Sequence, residues 1–342
     1  MVTISRSSGC LFGLAMGDAF GAPVEFLSYE QIVDRWPEGK LVDLEGDPIR
    51  VTDDTQMAMA VGEAISICKS SGPLTPDRVE NALRDGFVQW LNSPDNNRAP
   101  GMTCLRACEG LEAGKAWQDA TVKHSKGCGA NMRVAPVGLL GARQVGSSPN
   151  ELGAIAQFQA AITHGHPTAL AASDLTAHAV RYLSRGGEPA AIVARLREYA
   201  ESQRRAYHEE WLGALWERPG EKSPETFIER GWRECLSALA KIEDALELTP
   251  YAGDPCLATG AGWVAEEALA TGLLCFLMYP DQPRLALQRA ATTSGDSDSI
   301  ACLTGAFAGA YLGIDALPAQ WIERIEYRDR LQSLAAGLVH LY

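Results

Sequence analysis

Apolar residues recur along this chain at the three-and-four spacing of a single helix face, and the alternation expected of half-buried strands is almost absent. The pattern predicts helices over Gln56 to Lys69, Val79 to Leu91, Leu152 to Ile162, Thr168 to Leu183, Ala190 to Tyr199, Phe227 to Leu246, Trp263 to Leu277, Arg284 to Thr292 and Ile300 to Leu312. Helix starts are marked as well. Thr75-Pro76-Asp77, Ser148-Pro149-Asn150-Glu151 and Ser223-Pro224-Glu225 each offer a capping hydroxyl before a proline at the first helical position, and the second adds the glutamate of a capping box. The fold class is therefore all-α. Gln203 to Lys222, polar, aromatic and irregular, reads as a surface excursion rather than a linker.

Two segments carry glycine at every fourth position: Gly9, Gly13, Gly17 and Gly21, then Gly305, Gly309 and Gly313. Glycine costs about 1 kcal/mol against alanine inside a helix, so the repetition implies that another backbone approaches closely there. With polar neighbours, tight core packing explains the stripe better than a membrane dimer.

Composition narrows the partners. The chain has 342 residues, 46% of them hydrophobic, enough to bury a sizeable core and to exclude disorder as the main state. With 43 acidic and 30 basic side chains its formal charge is -13, which weighs against an extended nucleic-acid or anionic-lipid surface. The longest apolar run, Ala268 to Tyr279, falls well short of the roughly twenty residues that cross a bilayer. Arg6 before Gly9 to Met16 imitates a signal peptide, but Asp18 and Glu25 follow at once and the segment reads as mature protein. Nine cysteines without a C-x-x-C spacing read as reduced thiols of a cytoplasmic protein, with Cys104 and Cys108 sharing a core-facing helix side.

Three acidic clusters stand among small or apolar neighbours: Gly17-Asp18 with Glu25, Thr52-Asp53-Asp54-Thr55, and Gly295-Asp296-Ser297-Asp298-Ser299. One such cluster would ordinarily be a helix cap. If the three converge, Glu25, Asp53, Asp54, Asp296 and Asp298 share one cavity, where each close pair repels by about 4 kcal/mol at 4 Å and an effective dielectric near 20. Divalent cations relieve that repulsion. The donors, including the hydroxyls of Thr52 and Ser299, are all oxygen, so two hard ions, Mg or Mn, are expected rather than Zn or Cu.

Gly17-Asp18-Ala19-Phe20-Gly21-Ala22-Pro23-Val24-Glu25-Phe26, Thr52-Asp53-Asp54-Thr55-Gln56-Met57 and Gly295-Asp296-Ser297-Asp298-Ser299-Ile300-Ala301 resemble, in order and spacing, the ADP-ribosylglycohydrolase family. That family includes the dinitrogenase-reductase-activating glycohydrolases and the ADP-ribosylarginine hydrolases. The resemblance spans nearly the whole chain. It implies a compact single-domain orthogonal helical bundle over residues 1–342, with a binuclear Mg or Mn centre at the base of an ADP-ribose cleft. Thr52, Asp53 and Asp54 would bind one metal side and Asp296, Asp298 and Ser299 the other, with Asp298 as the bridge. Ser299 stands where the family usually has threonine, which keeps the hydroxyl, and Ser294 replaces a frequent glycine.

The same resemblance extends to Ser125-Lys126-Gly127-Cys128-Gly129-Ala130-Asn131-Met132-Arg133 and Thr163-His164-Gly165-His166-Pro167. The first matches a glycine loop that receives the diphosphate, through Ser125, Lys126, Gly127, Cys128 and Gly129, with Cys128 in place of a common asparagine. His164 matches a ligand-facing histidine. Arg133 reads as a buried structural ion partner, Trp263 as a wall for adenosine, and Glu266 and Glu267 as structural. A boundary between the acidic motifs would split the site, so one domain is expected.

The implied reaction is removal of ADP-ribose from a modified protein side chain, most often arginine, with ADP-ribose as product. Glu25 is the expected proton-transfer residue and Asp54 its understudy. Serine and O-acetyl linkages stay open, as does a binding role in which the chain recognises ADP-ribose or occludes an ADP-ribosylating toxin. A diphosphate-cleaving terpenoid synthase is disfavoured, because Ala58 stands where its acidic motif needs a third aspartate.

Overall fold

The computed structural model describes residues 2–36, 43–141, 149–247 and 253–339. Among them the regular structure is helical, and only three isolated bridges pair extended backbone. The longer helices are α1 (Ile4–Gly21), α2 (Asp53–Ser70), α3 (Pro76–Leu91), α4 (Met102–Glu112), α5 (Pro149–Ala161), α6 (Pro167–Ser184), α7 (Ile192–Gln203), α8 (Pro224–Glu247), α9 (Ala265–Met278), α10 (Pro283–Ala291), α11 (Ser297–Leu312) and α12 (Arg328–Val339). All nine helices expected from periodicity are present.

The boundaries that moved are informative. Helix α2 starts at Asp53 rather than Gln56, and α11 at Ser297 rather than Ile300, so the acidic motifs themselves form the first helical turns. Hydrophobic periodicity cannot register a polar first turn. Helix α12 went unpredicted although it buries Leu331, Leu334, Ala335 and Leu338 at helical spacing. Of the expected caps, Ser223 Oγ accepts the Thr226 amide at 3.3 Å, Thr75 makes no side-chain cap bond, and Ser148 lies outside the described residues.

Helices α1 and α11 form the centre of the molecule, each buried along nearly its whole length. Their glycine stripes face one another in antiparallel register: Gly9 against Gly309, Gly13 against Gly305, Gly17 against Ala301, and Gly21 against Ser297 and Asp298. A methyl group at any of these four α1 positions would overlap the opposing backbone. The close approach inferred from the spacing is thus made by the second stripe. It also determines function, because it carries the end of α1 to the start of α11, and with them the first and last acidic motifs.

The Gln203–Lys222 excursion is anchored rather than superficial. Leu212 and Leu215 are buried, and Arg218 donates to the carbonyls of Lys123 at 2.5 Å and Gly165 at 2.9 Å.

Candidate functional site

Asp18, in the last turn of α1, is fully buried beneath the start of α2. Its carboxylate accepts the Thr52 amide at 2.9 and 3.0 Å, the Thr55 amide at 3.1 Å and the Thr55 hydroxyl. Those bonds set the Thr52–Thr55 turn from behind, so that Asp53 and Asp54 project forward. The sequence reading placed Asp18 in the first motif but gave it no role, because a supporting aspartate and a ligand aspartate read alike. Burial, then the nearby Asp298 charge, pushes its carboxyl up to about 7 against the pull of the threonine bonds.

In front of this support, Glu25, Asp53, Asp54, Asp296 and Asp298 line one cavity of about 210 Å3, together with Ser299, Gly127, Cys128, Gly129, His164 and Trp263. Carboxylate oxygens of Glu25, Asp296 and Asp298 lie within 4.8 Å of one another. Asp53 accepts the Gly101 amide at 3.3 Å, Asp54 the Ser299 hydroxyl at 2.9 Å, Asp298 the Ser299 amide at 2.9 Å, and Asp296 the Cys128 thiol at 2.7 Å. A larger cavity of about 940 Å3 lies beyond Thr52 against Trp36 and Arg50, and none of the five carboxylates lines it.

Burial and mutual repulsion dominate the electrostatics of these carboxyl groups. Burial first, and then Asp298, pushes Glu25 and Asp53 up to about 8, and the same two causes hold Asp54 and Asp296 well above the usual carboxylate range. Burial also raises Asp298, with the Asp296 and Ser299 bonds opposing it. Among the described residues no Lys or Arg lies within ion-pair distance of any of the five. An oxygen-rich, uncompensated anionic cavity of this kind fits hard divalent ions.

The other predicted residues divide into cavity wall and support. Thr52 caps α2, its hydroxyl accepting the Asp54 amide at 3.4 Å. Ser125 bonds Thr103 at 2.9 Å and the Gly127 amide at 3.4 Å, behind the lining residues. Lys126, expected in the diphosphate loop, does not itself line the cavity, and its ammonium is engaged by Glu234 at 2.8 Å and by Glu266. Burial opposes its charge, and the two glutamates outweigh that and raise its pKa. The glycine loop is further tied by an antiparallel bridge to the 263–265 strand-like turn, with Cys128 N–H donating to Trp263 O at 3.2 Å and Ala265 N–H to Lys126 O at 2.9 Å.

Arg133 is buried as expected, but among the described residues it forms no ion pair. Its guanidinium donates to Gln159 Oε1 at 2.9 Å, Gln159 O at 2.7 Å and Thr163 Oγ1 at 2.8 Å, and lies 4.4 Å from the Phe87 ring centroid. Thr163 Oγ1, which accepts from Arg133, also shares a hydrogen bond with His164 Nδ1 at 2.8 Å. Burial, then the Arg133 charge, holds His164 neutral. Ser294 also earns a role that sequence reading missed. Its hydroxyl accepts the Tyr29 amide at 2.8 Å, binding the loop that carries Glu25 to the loop that carries Asp296.

Comparison with known proteins identifies the family. The sequence model of the ADP-ribosylglycohydrolase family matches residues 2–342. The chain is 28% identical to ADP-ribosylhydrolase ARH3 of Bos taurus, covering 99% of this chain and 94% of that protein. It is 25% identical to ADP-ribosylarginine hydrolase Tri1 of Pseudomonas putida, covering 98% and 78%, and 24% identical to the ADP-ribosyl-[dinitrogen reductase] glycohydrolase of Rhodospirillum rubrum, covering 94% and 91%. Its fold resembles a solved ADP-ribosylglycohydrolase-related protein complex, with a TM-score of 0.66 at 22% identity over 98% of this chain and 97% of the other. With a family match over the whole chain and a helical fold that brings the acidic motifs together, this protein belongs to the ADP-ribosylglycohydrolase family.

Proposed function

We propose that this chain is a binuclear-metal hydrolase that removes ADP-ribose from modified protein side chains, with arginine the preferred attachment, and so reverses mono-ADP-ribosylation. The observation that carries this reading is the convergence of Glu25, Asp53, Asp54, Asp296 and Asp298 on one cavity. Arginine as the attachment is supported by the name of the Tri1 relative. Residues 1–342 serve this one site and are read as a single domain, and nine free cysteines suit a cytoplasmic setting.

Thr52, Asp53 and Asp54 would hold one Mg or Mn ion and Asp296, Asp298 and Ser299 the other. When bound, the two cations supply charge neutralisation, orientation of ribose hydroxyls and a lowered water pKa. Glu25, next to the ligands, moves the proton. Its carboxyl, beside Asp296 and Asp298 on the cavity wall, is the group placed to donate to a departing guanidino nitrogen. Water attacks ribose C1 as the C1–N bond breaks, arginine leaves with the proton given by Glu25, and the Glu25 carboxylate so formed takes the proton of the attacking water. Asp54, held by Ser299, is the alternative donor.

Gly127, Cys128 and Gly129 form the wall on which the diphosphate lies, backed by Ser125 and Lys126. His164 Nε2 stands beside that wall, 3.3 Å from where a Gly127 methyl would be. Purified protein incubated with arginine-linked, serine-linked and O-acetyl ADP-ribose, with Mg or Mn and with chelator, tests the reading. Metal-dependent release of ADP-ribose, fastest from arginine, supports it. Equal release in chelator, or none from any substrate, overturns it.

A further inference from the structure

Phe26 directly follows Glu25, yet its side chain is 72% exposed. Trp263, 45% exposed, lines the acidic cavity, and the two rings stack with centroids 6.3 Å apart and planes 18° from parallel. Large aromatics normally bury, so a paired exposed set beside a cavity marks a contact surface. Its backbone is held on both sides. The Trp263 carbonyl accepts the Cys128 amide, and the Phe26 loop is closed by Leu27 N–H to Val24 O at 2.9 Å and by the Tyr29–Ser294 bond.

What such a rim binds follows from what lies under it. The faces of two rings carry negative quadrupole potential, and the cavity beneath carries five carboxylates and no ion-paired Lys or Arg among the described residues. Both attract a cation. A flat, delocalised, weakly hydrated cation gains most from stacking against such faces, which singles out a guanidinium over an ammonium. Adenine also stacks, but it is uncharged and gains nothing from the carboxylates beneath the rim.

We infer that Phe26 and Trp263 form the subsite for the guanidinium of the arginine that carries ADP-ribose, on the leaving-group side of Glu25. The inference rests on the proposed hydrolysis and moves Trp263 from an adenosine wall to the opposite end of the substrate. It explains how a chain with these motifs selects arginine over a hydroxyl attachment: serine offers the rim neither charge nor plane.

The test separates recognition from turnover. Mg-loaded full-length protein is titrated with L-arginine amide, its neutral isostere L-citrulline amide, L-lysine amide and ADP-ribose, using wild type, Phe26→Ala, Phe26→Leu and Trp263→Ala, with thermal melts to confirm folding. Arginine amide is expected to bind wild type about ten-fold more tightly than citrulline amide or lysine amide. Each variant should lose about ten-fold in arginine-amide affinity, equal to about 1.4 kcal/mol. Phe26→Leu keeps the bulk without the π face, so its loss points to the ring itself. Arginine-amide binding unchanged in folded variants, absent from wild type, or matched by citrulline amide overturns the subsite. Weakened ADP-ribose binding with arginine amide unaffected returns the rim to adenosine. If wild type fails to release ADP-ribose from arginine while the titrations succeed, the proposed linkage falls and the guanidinium subsite stands.

Discussion

Asp18 and Thr55 are joined twice, the carboxylate accepting both the amide and the hydroxyl of the threonine inside a fully buried contact between α1 and α2. This pair, with the Thr52 amide, determines where Asp53 and Asp54 point. Asp18→Asn turns an acceptor toward three donors into a group that is itself half donor. It should destabilise the fold by about 2–3 kcal/mol, the scale of lost hydrogen bonds to a charged group, and lower divalent-ion affinity as the turn shifts. Urea unfolding and metal titration check both; a variant of wild-type stability would remove Asp18 from the support role.

The α1–α11 contact predicts a sharp asymmetry among glycines. Gly13→Ala and Gly17→Ala place a methyl on opposing backbone and should each cost about 3 kcal/mol, because backbone cannot yield as a side chain does. Gly86→Ala in α3 is the contrast, with its new methyl 3.4 Å from Ala60 O, and should be neutral or gain up to about 1 kcal/mol. Melting temperatures of the three variants decide whether the close approach is real.

Separating proton transfer from metal binding calls for two carboxylate variants. Glu25→Gln should keep ADP-ribose affinity within about a few fold while turnover falls on the order of a hundredfold. Asp298→Asn, at the centre of the repulsion, should lose metal in elemental analysis as well as turnover. Near-normal turnover in Glu25→Gln would pass the role to Asp54.

Metal-free protein should become less stable as pH rises. Glu25 and Asp53 stand near 8 and Asp18 near 7, against ordinary values near 4, so between these limits the native state holds protons that the unfolded chain has released. That contribution is complete below about pH 4 and is lost as pH climbs through about 8. Melts in chelator at pH 5, 6.5 and 8 should therefore fall, and adding Mg or Mn at pH 8 should restore much of the loss. A melting temperature that rises with pH in chelator contradicts the raised values.

Gly127→Val adds a β-carbon 3.3 Å from His164 Nε2 and methyl groups beyond it. ADP-ribose affinity should drop at least about ten-fold with metal content unchanged, since no carboxylate is touched. Cys128→Asn replaces the thiol that donates to Asp296 by an amide that also donates, so binding should be kept or tightened. Calorimetry on both variants places the diphosphate or moves it.

The sequence by itself determined the helical class, nine helix positions and the three acidic motifs, because each is encoded within a few neighbouring residues. It also determined that a backbone must meet the glycine stripes, since their spacing has no other economical use. Which backbone was beyond reach, for two stripes nearly three hundred positions apart carry no local record of one another. Tertiary structure decided that Gly21 lies on Ser297 and Asp298, and so that Glu25 meets Asp296.

Roles within a motif were equally hidden. Asp18 and Asp54 are both aspartates in small-residue surroundings, and only burial beneath α2 makes one a support and leaves the other on the cavity wall. Lys126 read as a phosphate partner until Glu234, from α8, and Glu266, from α9, were brought against it. Arg133 read as half of an ion pair, yet its partners are an amide side chain, a carbonyl, a hydroxyl and a ring. A charge's partner is set by whichever distant element packs beside it, and local sequence specifies the residue without specifying that neighbour.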